Sequence, residues 1–122
     1  MKHDRDTYAL DGRDERRDCA VRAFSVAACV SYDSAHALFE KFGRRDRHAT
    51  SLAMSVSVLR DQFPAAQRIT FRTCTVGAFL KNHIDGHYIV FVRNHCFAVC
   101  DGIIFDWKPA LKRIVKSAWK LC

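Results

Sequence analysis

Residues 95–107 read HCFAVCDGIIFDW, two apolar segments separated by the dipeptide Asp101-Gly102. An Asp-Gly pair between apolar runs is a strong signal for a β-hairpin, because the common type I′ turn needs positive φ at both of its central positions. The segment HYIVFVR, residues 87–93, precedes the pair and also has the composition of a strand. The sequence therefore predicts consecutive antiparallel strands in the second half of the chain.

The register of this hairpin decides which side chains share a face. With a two-residue turn, His95 lies diagonally opposite Asp106, with Cα atoms roughly 7–8 Å apart on one face, within reach of an imidazole–carboxylate hydrogen bond. A three-residue turn with a bulge at Gly102 would shift the pairing by one and send Asp106 to the other face. The two-residue turn predicts the pairs Cys100–Ile103, Val99–Ile104, Phe97–Asp106 and His95–Lys108.

Helical patterns fill the first half of the chain. Asp18 is a candidate N-cap for CAVRAFSVAACV, residues 19–30, whose apolar spacing predicts a helix that is buried on most sides. A second helix is expected to start at Ser31 and to end at Gly43, and a third is expected from Ser51 to about Gln62.

The second half also contains shorter elements. The alternation in RITFRT, residues 68–73, predicts a strand, and Thr75 is a candidate cap for a short helix. The tail LKRIVKSAWKLC, residues 111–122, fits either a strand or a helix, and we favour the strand.

Helices followed by antiparallel strands predict an α+β domain with N-terminal helices packed on a C-terminal antiparallel sheet. A chain of 122 residues is expected to form a single domain. We divide it into a charged N-terminal arm (1–17), a helical part (18–63) and a mainly β part (68–122) that includes the short helix at 75–83.

Charge and hydropathy limit the classes of partner. The net charge of +7 favours an acidic protein surface, a negatively charged peptide or nucleic acid, the last through basic clusters at 44–47 and 108–120. No run approaches the roughly 18 apolar residues of a membrane span, and residues 1–19 lack the apolar segment of a signal peptide. We expect a cytoplasmic protein with no membrane partner.

The six cysteines are expected to be reduced thiols, since no secretion signal is evident. None forms a CxxC pair, and on a strand Cys96 and Cys100 would lie about 13 Å apart, too far to share a metal. We expect no metal and no cofactor. Five cysteines are interpreted as small core residues. Cys19 differs, because it lies in the first turn of a helix, where the helix dipole favours a thiolate.

Cys19, His95 and Asp106 together match the nucleophile, base and orienting group of a thiol hydrolase. In such a mechanism His95 holds Cys19 as a thiolate and protonates the leaving group, while Asp106 fixes the imidazole tautomer. The backbone N–H of Cys19 would contribute to the oxyanion site. We interpret the remaining histidines as solvent-facing or structural.

Three segments carry a resemblance to a known family: DCAVRAFSVAACVSYDSAHALF, TVGAFLKNHIDGHYIVFVRNHCFAV and DGIIFDW. They resemble small papain-like cysteine-peptidase-fold proteins of bacteriophages and bacteria, which are related in plan to the peptidase domains of bacteriocin-processing transporters. The resemblance implies a papain-like fold, with Cys19 as nucleophile, His95 as base and Asp106 as orienting group. It also implies a peptide, isopeptide or other acyl substrate, and the host cytoplasm if the protein is phage-encoded.

The chain departs from the papain-like pattern in one respect. Such peptidases usually place a Gln a few residues before the nucleophile as an oxyanion donor, but both glutamines here follow Cys19. Loss of one such donor costs about 3–4 kcal/mol of transition-state stabilisation. Two alternatives therefore stay open: a catalytically inactive papain-like module that binds and modulates a host protein, and a basic nucleic-acid-binding protein. The stretch before Cys19 offers arginines instead: Arg13, Arg16 and Arg17.

Overall fold

A computed structural model of the protein describes residues 2–3, 19–44, 51–106 and 111–121. The described residues form four helices and six strands, which makes the fold α+β as predicted. The helices are α1 (Cys19–Ala28), α2 (Tyr32–Lys41), α3 (Leu52–Gln62) and α4 (Val76–Asn82). The strands are β1 (Lys2–His3), β2 (Gln67–Arg68), β3 (His87–Val92), β4 (His95–Cys100), β5 (Ile103–Phe105) and β6 (Ser117–Lys120).

Three of the predicted helix starts have the expected cap. Ser31, Ser51 and Thr75 each have extended backbone angles, and each side-chain oxygen accepts a hydrogen bond from the N–H three residues later. Such a bond satisfies one of the four N–H groups that a helix start leaves unpaired. These three predictions are confirmed, whereas the proposed cap Asp18 lies outside the described residues.

Gly43 ends the second helix, as its position in the sequence predicts. Its φ of +104° is in the range that favours glycine. Its N–H donates to the Glu40 carbonyl at 2.9 Å, so a backbone acceptor of the last turn is satisfied.

The hairpin between β4 and β5 has the two-residue turn. Asp101 and Gly102 both have positive φ, at 50° and 82°, as a type I′ turn requires. The Asp101 carboxylate also accepts a hydrogen bond from the Gly86 N–H at 2.9 Å. The predicted pairs Cys100–Ile103 and Val99–Ile104 are present, so the shifted register is excluded. Lys108, the predicted partner of His95, lies outside the described residues.

The strands form one sheet in the order β1-β5-β4-β3-β6-β2. All neighbouring pairs are antiparallel except β1 and β5, which are parallel. The pairing of β6 with β3 confirms the strand favoured for the tail. Of the N-terminal arm, residues 2–3 pair with Ile103 and Ile104, and the rest lies outside the described residues.

The strand predicted over 68–73 is wrong in extent, since only Gln67 and Arg68 are in a strand. The short length of the neighbouring strand β6 explains the difference. One further bond follows, from the Ile69 N–H to the Ala118 carbonyl, and in this register residues 71–73 would face residues 114–116, which precede β6. The chain then leaves the sheet edge, and its apolar side chains pack on one face instead of extending the ladder.

Both faces of the central strands are buried. Alternate residues of β3 and β4 pack against α1, α2 and α3 on one face, and the intervening residues pack against α4 on the other. Cys96 and Ala98 lie on the α1 side, and Phe97 and Val99 on the α4 side. The close packing of α1 against β4 brings the start of that helix to the start of that strand.

Within the described ranges, no helix has the length and apolar character needed to cross a membrane.

The turn at Gly102 gives a test of the hairpin. Gly102→Ala places a Cβ in a left-handed conformation, which costs roughly 1–2 kcal/mol. No atom lies closer than 3.7 Å to that Cβ, so the cost reflects backbone conformation rather than a clash. We expect the free energy of unfolding in a urea titration to fall by this amount. Gly77→Ala adds the same atoms inside α4, where the nearest atom is at 3.5 Å and alanine is the better helix former, and should not destabilise. Equal losses in both variants would contradict this explanation.

Candidate active site

Cys19 is the first residue of α1 and its side chain is partly buried. Its sulfur lies 3.8 Å from the sulfur of Cys96, the second residue of β4. The apolar face of α1 fixes this position, since the helix is packed against β4 through buried side chains such as Val21 and Phe24. The nucleophile proposed from the sequence therefore lies at the start of the strand that carries His95.

His95 and Asp106 are hydrogen-bonded, with His95 Nε2 at 2.9 Å from Asp106 Oδ1. The hairpin register places Asp106 directly after the last pair of β5, opposite Phe97 and diagonal to His95. The Asp106 side chain is 2% exposed and that of His95 is 26% exposed. The imidazole thus stands between a buried carboxylate and solvent.

His95 also acts on the Cys19 side chain, since hydrogen bonding and positive charge from its ring lower the pKa of that thiol. Because Nε2 is held by Asp106, Nδ1 is the ring nitrogen that remains for the sulfur. A protonated imidazole donates from both nitrogens, one bond to each partner. The structure therefore brings together all three side chains predicted to form the site, in the order thiol, imidazole and carboxylate.

The surroundings of Cys19 lower the pKa of its thiol from 9.0 to about 4. The largest cause is the hydrogen bond from the Cys96 side chain, and burial acts in the opposite direction. A hydrogen bond and positive charge from His95 and a hydrogen bond from the Cys96 backbone N–H lower the pKa further. Donors aimed at the sulfur stabilise the thiolate, and they outweigh the cost of removing it from water.

The pKa of His95 is raised from 6.5 to about 9. Burial opposes the charged ring, but the hydrogen bond and negative charge of Asp106, together with those of the Cys19 thiolate, more than compensate. Between pH about 4 and about 9 the pair is therefore a thiolate and an imidazolium.

Cys96 is the site residue that the sequence analysis missed. It was interpreted as a core residue, and its side chain is indeed only 3% exposed, but its sulfur contacts Cys19. No local pattern predicts this contact, because it depends on how α1 packs on the face of the sheet that carries Cys96. Cys29, also expected in the core, is exposed instead.

Three other histidines have structural contacts away from Cys19. His36 is buried and pairs with Glu40 one helical turn later, at 2.8 Å, an i,i+4 pair that the sequence analysis overlooked. His87 lies 2.9 Å from the Ala27 carbonyl, and the ring of His83 stacks on Phe79. In the part of the chain that the structure describes, no cluster of three or more His, Cys, Asp or Glu could hold a metal ion.

Comparisons with known proteins identify no relative of the chain. No protein-family model, curated protein or solved structure matches the chain. The resemblance to papain-like proteins therefore stays a prediction, and the arginines that precede Cys19 lie outside the described residues.

The pKa of Cys19 can be measured by alkylation. We expect the rate at which iodoacetamide labels Cys19 to rise with pH through a midpoint near 4, because the thiolate is the reacting form. The midpoint is the right readout, since the plateau rate also falls as a thiolate becomes less basic. Trypsin isolates Cys19 in the peptide DCAVR, residues 18–22, so mass spectrometry reports its labelling alone. A midpoint above pH 8 would contradict the activated thiol.

Proposed function

We propose that the protein is a thiol hydrolase of papain-like type that acts on a peptide, isopeptide or other acyl substrate in the cytoplasm. One observation carries the proposal: a partly exposed thiol at a helix start lies at the start of β4, where the neighbouring imidazole of His95 is hydrogen-bonded to a buried carboxylate and lowers the pKa of the thiol. This is the relation of nucleophile, base and orienting group that covalent acyl transfer requires. The net charge of +7 favours a substrate or protein partner with an acidic surface.

Acylation starts from the thiolate–imidazolium pair. The Cys19 sulfur attacks the carbonyl carbon of the substrate, and an S–C bond forms as the carbonyl oxygen gains negative charge. The oxyanion then collapses, the bond to the leaving group breaks, and His95 gives its Nδ1 proton to the departing atom. The products of this half-reaction are a Cys19 thioester, a neutral His95 and a free amine or alcohol.

In the hydrolysis of the thioester, His95 acts as a base, whereas in acylation it acts as an acid. Neutral His95 takes a proton from water, and the hydroxide formed attacks the thioester carbon. The C–S bond breaks, the acid leaves, and the thiolate–imidazolium pair is restored. Asp106 contributes by accepting the Nε2 hydrogen, which fixes the tautomer and orientation of the ring and leaves Nδ1 to exchange the proton.

The oxyanion needs donors of its own. The backbone N–H of Cys19 has no acceptor within α1, because the first N–H groups of a helix lack intrahelical partners, and we assign it to this role. The Cys96 N–H is already bonded to the Cys19 sulfur.

The missing Gln favours one other candidate function, a papain-like module that binds a host protein without cleaving it. In that case Cys19 would be dispensable, whereas the hydrolase cannot operate without it. The two functions are therefore separated by variants of Cys19.

A chromogenic acyl ester and a peptide library would test hydrolysis. We expect the wild type to form an acyl adduct on the 18–22 peptide and to turn over, and Cys19→Ala to lose roughly 10³-fold or more of the rate. Cys100→Ala is the matched control, since Cys100 is partly buried on the same strand and contacts the Val26 carbonyl instead. If the wild type releases no more product than Cys19→Ala from either substrate, the binding module is the better explanation.

Replacing the orienting carboxylate tests the role of Asp106. Asp106→Asn keeps the size but removes the negative charge that raises the pKa of His95. The pH–rate profile needs protonated His95, so its alkaline limb, expected near 9 in the wild type, should move to lower pH. We expect the rate below that limb to fall on the order of 10²-fold as the ring loses its orientation. An unchanged alkaline limb would show that Asp106 has no influence on the imidazole.

A further inference from the structure

The thiol of Cys96 is a buried nucleophile that makes no bond in the hydrolytic cycle. Its sulfur lies 3.8 Å from that of Cys19, and its thiol donates to the Cys19 sulfur. A core thiol is usually inert because nothing reactive can reach it. Here the Cys19 sulfur is already in contact with Cys96, so an intermediate formed on Cys19 can react with Cys96 without the core opening to solvent.

We propose that Cys19 and Cys96 form a reversible oxidation site, in which a hydroperoxide oxidises Cys19 and Cys96 resolves the product as an intramolecular disulfide. The site requires a reactive Cys19 and the adjacent Cys96, and it does not depend on the hydrolase activity.

The first step is attack of the Cys19 thiolate on one oxygen of the hydroperoxide. An S–O bond forms, the O–O bond breaks, and the sulfur is oxidised by two electrons to a sulfenic acid. With hydrogen peroxide the leaving hydroxide takes the proton of the His95 imidazolium and departs as water. The attacked oxygen keeps its hydrogen, so Cys19 becomes a neutral sulfenic acid and His95 is left neutral.

The second step consumes the Cys96 thiol. Its sulfur attacks the Cys19 sulfur, an S–S bond forms, and the S–O bond breaks. The hydroxide that leaves carries away the Cys96 proton as water. Each turn therefore converts two thiols and one hydrogen peroxide into one disulfide and two waters, and a dithiol reductant reverses it.

The geometry selects Cys96 among the described cysteines. The two sulfurs, now 3.8 Å apart, must close to about 2.05 Å to form the bond. Cys100 stands four residues further along β4, about 13 Å away at strand spacing. Cys29 faces His87 at the opposite end of α1, and Cys74 packs against the residues on the α4 face of the sheet.

Charge sets the order of the two steps. The hydrogen bond to the Cys19 thiolate raises the pKa of Cys96 well above its usual value, with burial and negative charge adding to the effect. Cys96 thus stays protonated while Cys19 is a thiolate. A sulfenic acid on Cys19 carries no such charge. Oxidation of Cys19 therefore removes a main cause of the raised pKa of Cys96, and Cys96 becomes a better nucleophile once the sulfenic acid has formed.

Oxidation of the full chain with one equivalent of hydrogen peroxide tests this site. We expect the intact mass to fall by two hydrogen atoms and to recover fully with dithiothreitol. Trypsin should yield the 18–22 peptide linked to the peptide that starts at Asn94, which carries both Cys96 and Cys100. The Cys100→Ala variant assigns the link, since the same disulfide must form in it.

Removal of the resolving thiol is the complementary test. In Cys96→Ala, peroxide should leave a sulfenic acid on Cys19 that dimedone traps, followed by a sulfinic acid that dithiothreitol does not reverse. If this variant does not fold, disulfide mapping of the wild type and of Cys100→Ala is sufficient to show whether the Cys19–Cys96 disulfide forms.

Sulfinic acid on Cys19 in the wild type, or a disulfide from Cys19 to any other cysteine, would overturn the proposal. Because the readout is mass rather than turnover, a failed hydrolase assay would leave this result unaffected. A failed disulfide would equally leave the acylation chemistry of Cys19 untouched.

Discussion

The packing of helix α1 against strand β4 is the contact on which the rest of the site depends. Buried apolar side chains of α1 cover the face of the sheet that carries Cys96 and Ala98, and this burial fixes where the helix starts. Cys19 is the first helical residue, so its sulfur comes to the start of β4. The reactive arrangement is therefore positioned by the hydrophobic core, which supplies most of the stabilisation of a small domain.

The second constraint is the hairpin register, which sets the relation of His95 to Asp106. A one-residue slip would reverse the face of every side chain on β5. The type I′ turn at Asp101 and Gly102 prevents that slip, because its two positive φ angles match the twist of the flanking strands. The backbone preference of this turn thereby decides whether the buried Asp106 carboxylate meets the His95 imidazole. The hydrogen bond and negative charge of Asp106 help to keep His95 charged although it is partly buried.

The elements that the sequence predicts well are those with a local physical cause. The caps at Ser31, Ser51 and Thr75 and the Asp-Gly turn depend on a few neighbouring residues, and each lies where its pattern indicates. The pairing of His95 with Asp106 follows from the turn by counting along two strands. The extent of β2 could not be predicted in this way, because it depends on how far β6, some 50 residues later, offers a partner.

The contact between Cys19 and Cys96 lies beyond sequence reasoning for the same reason, since it arises from how one helix sits on one strand. Given this contact, the two cysteines differ in protonation state only because of where they lie in the fold. Cys19 stands at a helix start, partly exposed and beside an imidazolium, so its thiolate is favoured. Cys96 lies within the sheet, nearly free of solvent, and its proton is held by its neighbour's charge. The same short distance therefore favours the thiolate of Cys19 and keeps Cys96 protonated, and the two proposed chemistries, hydrolytic and redox, both rely on this contact.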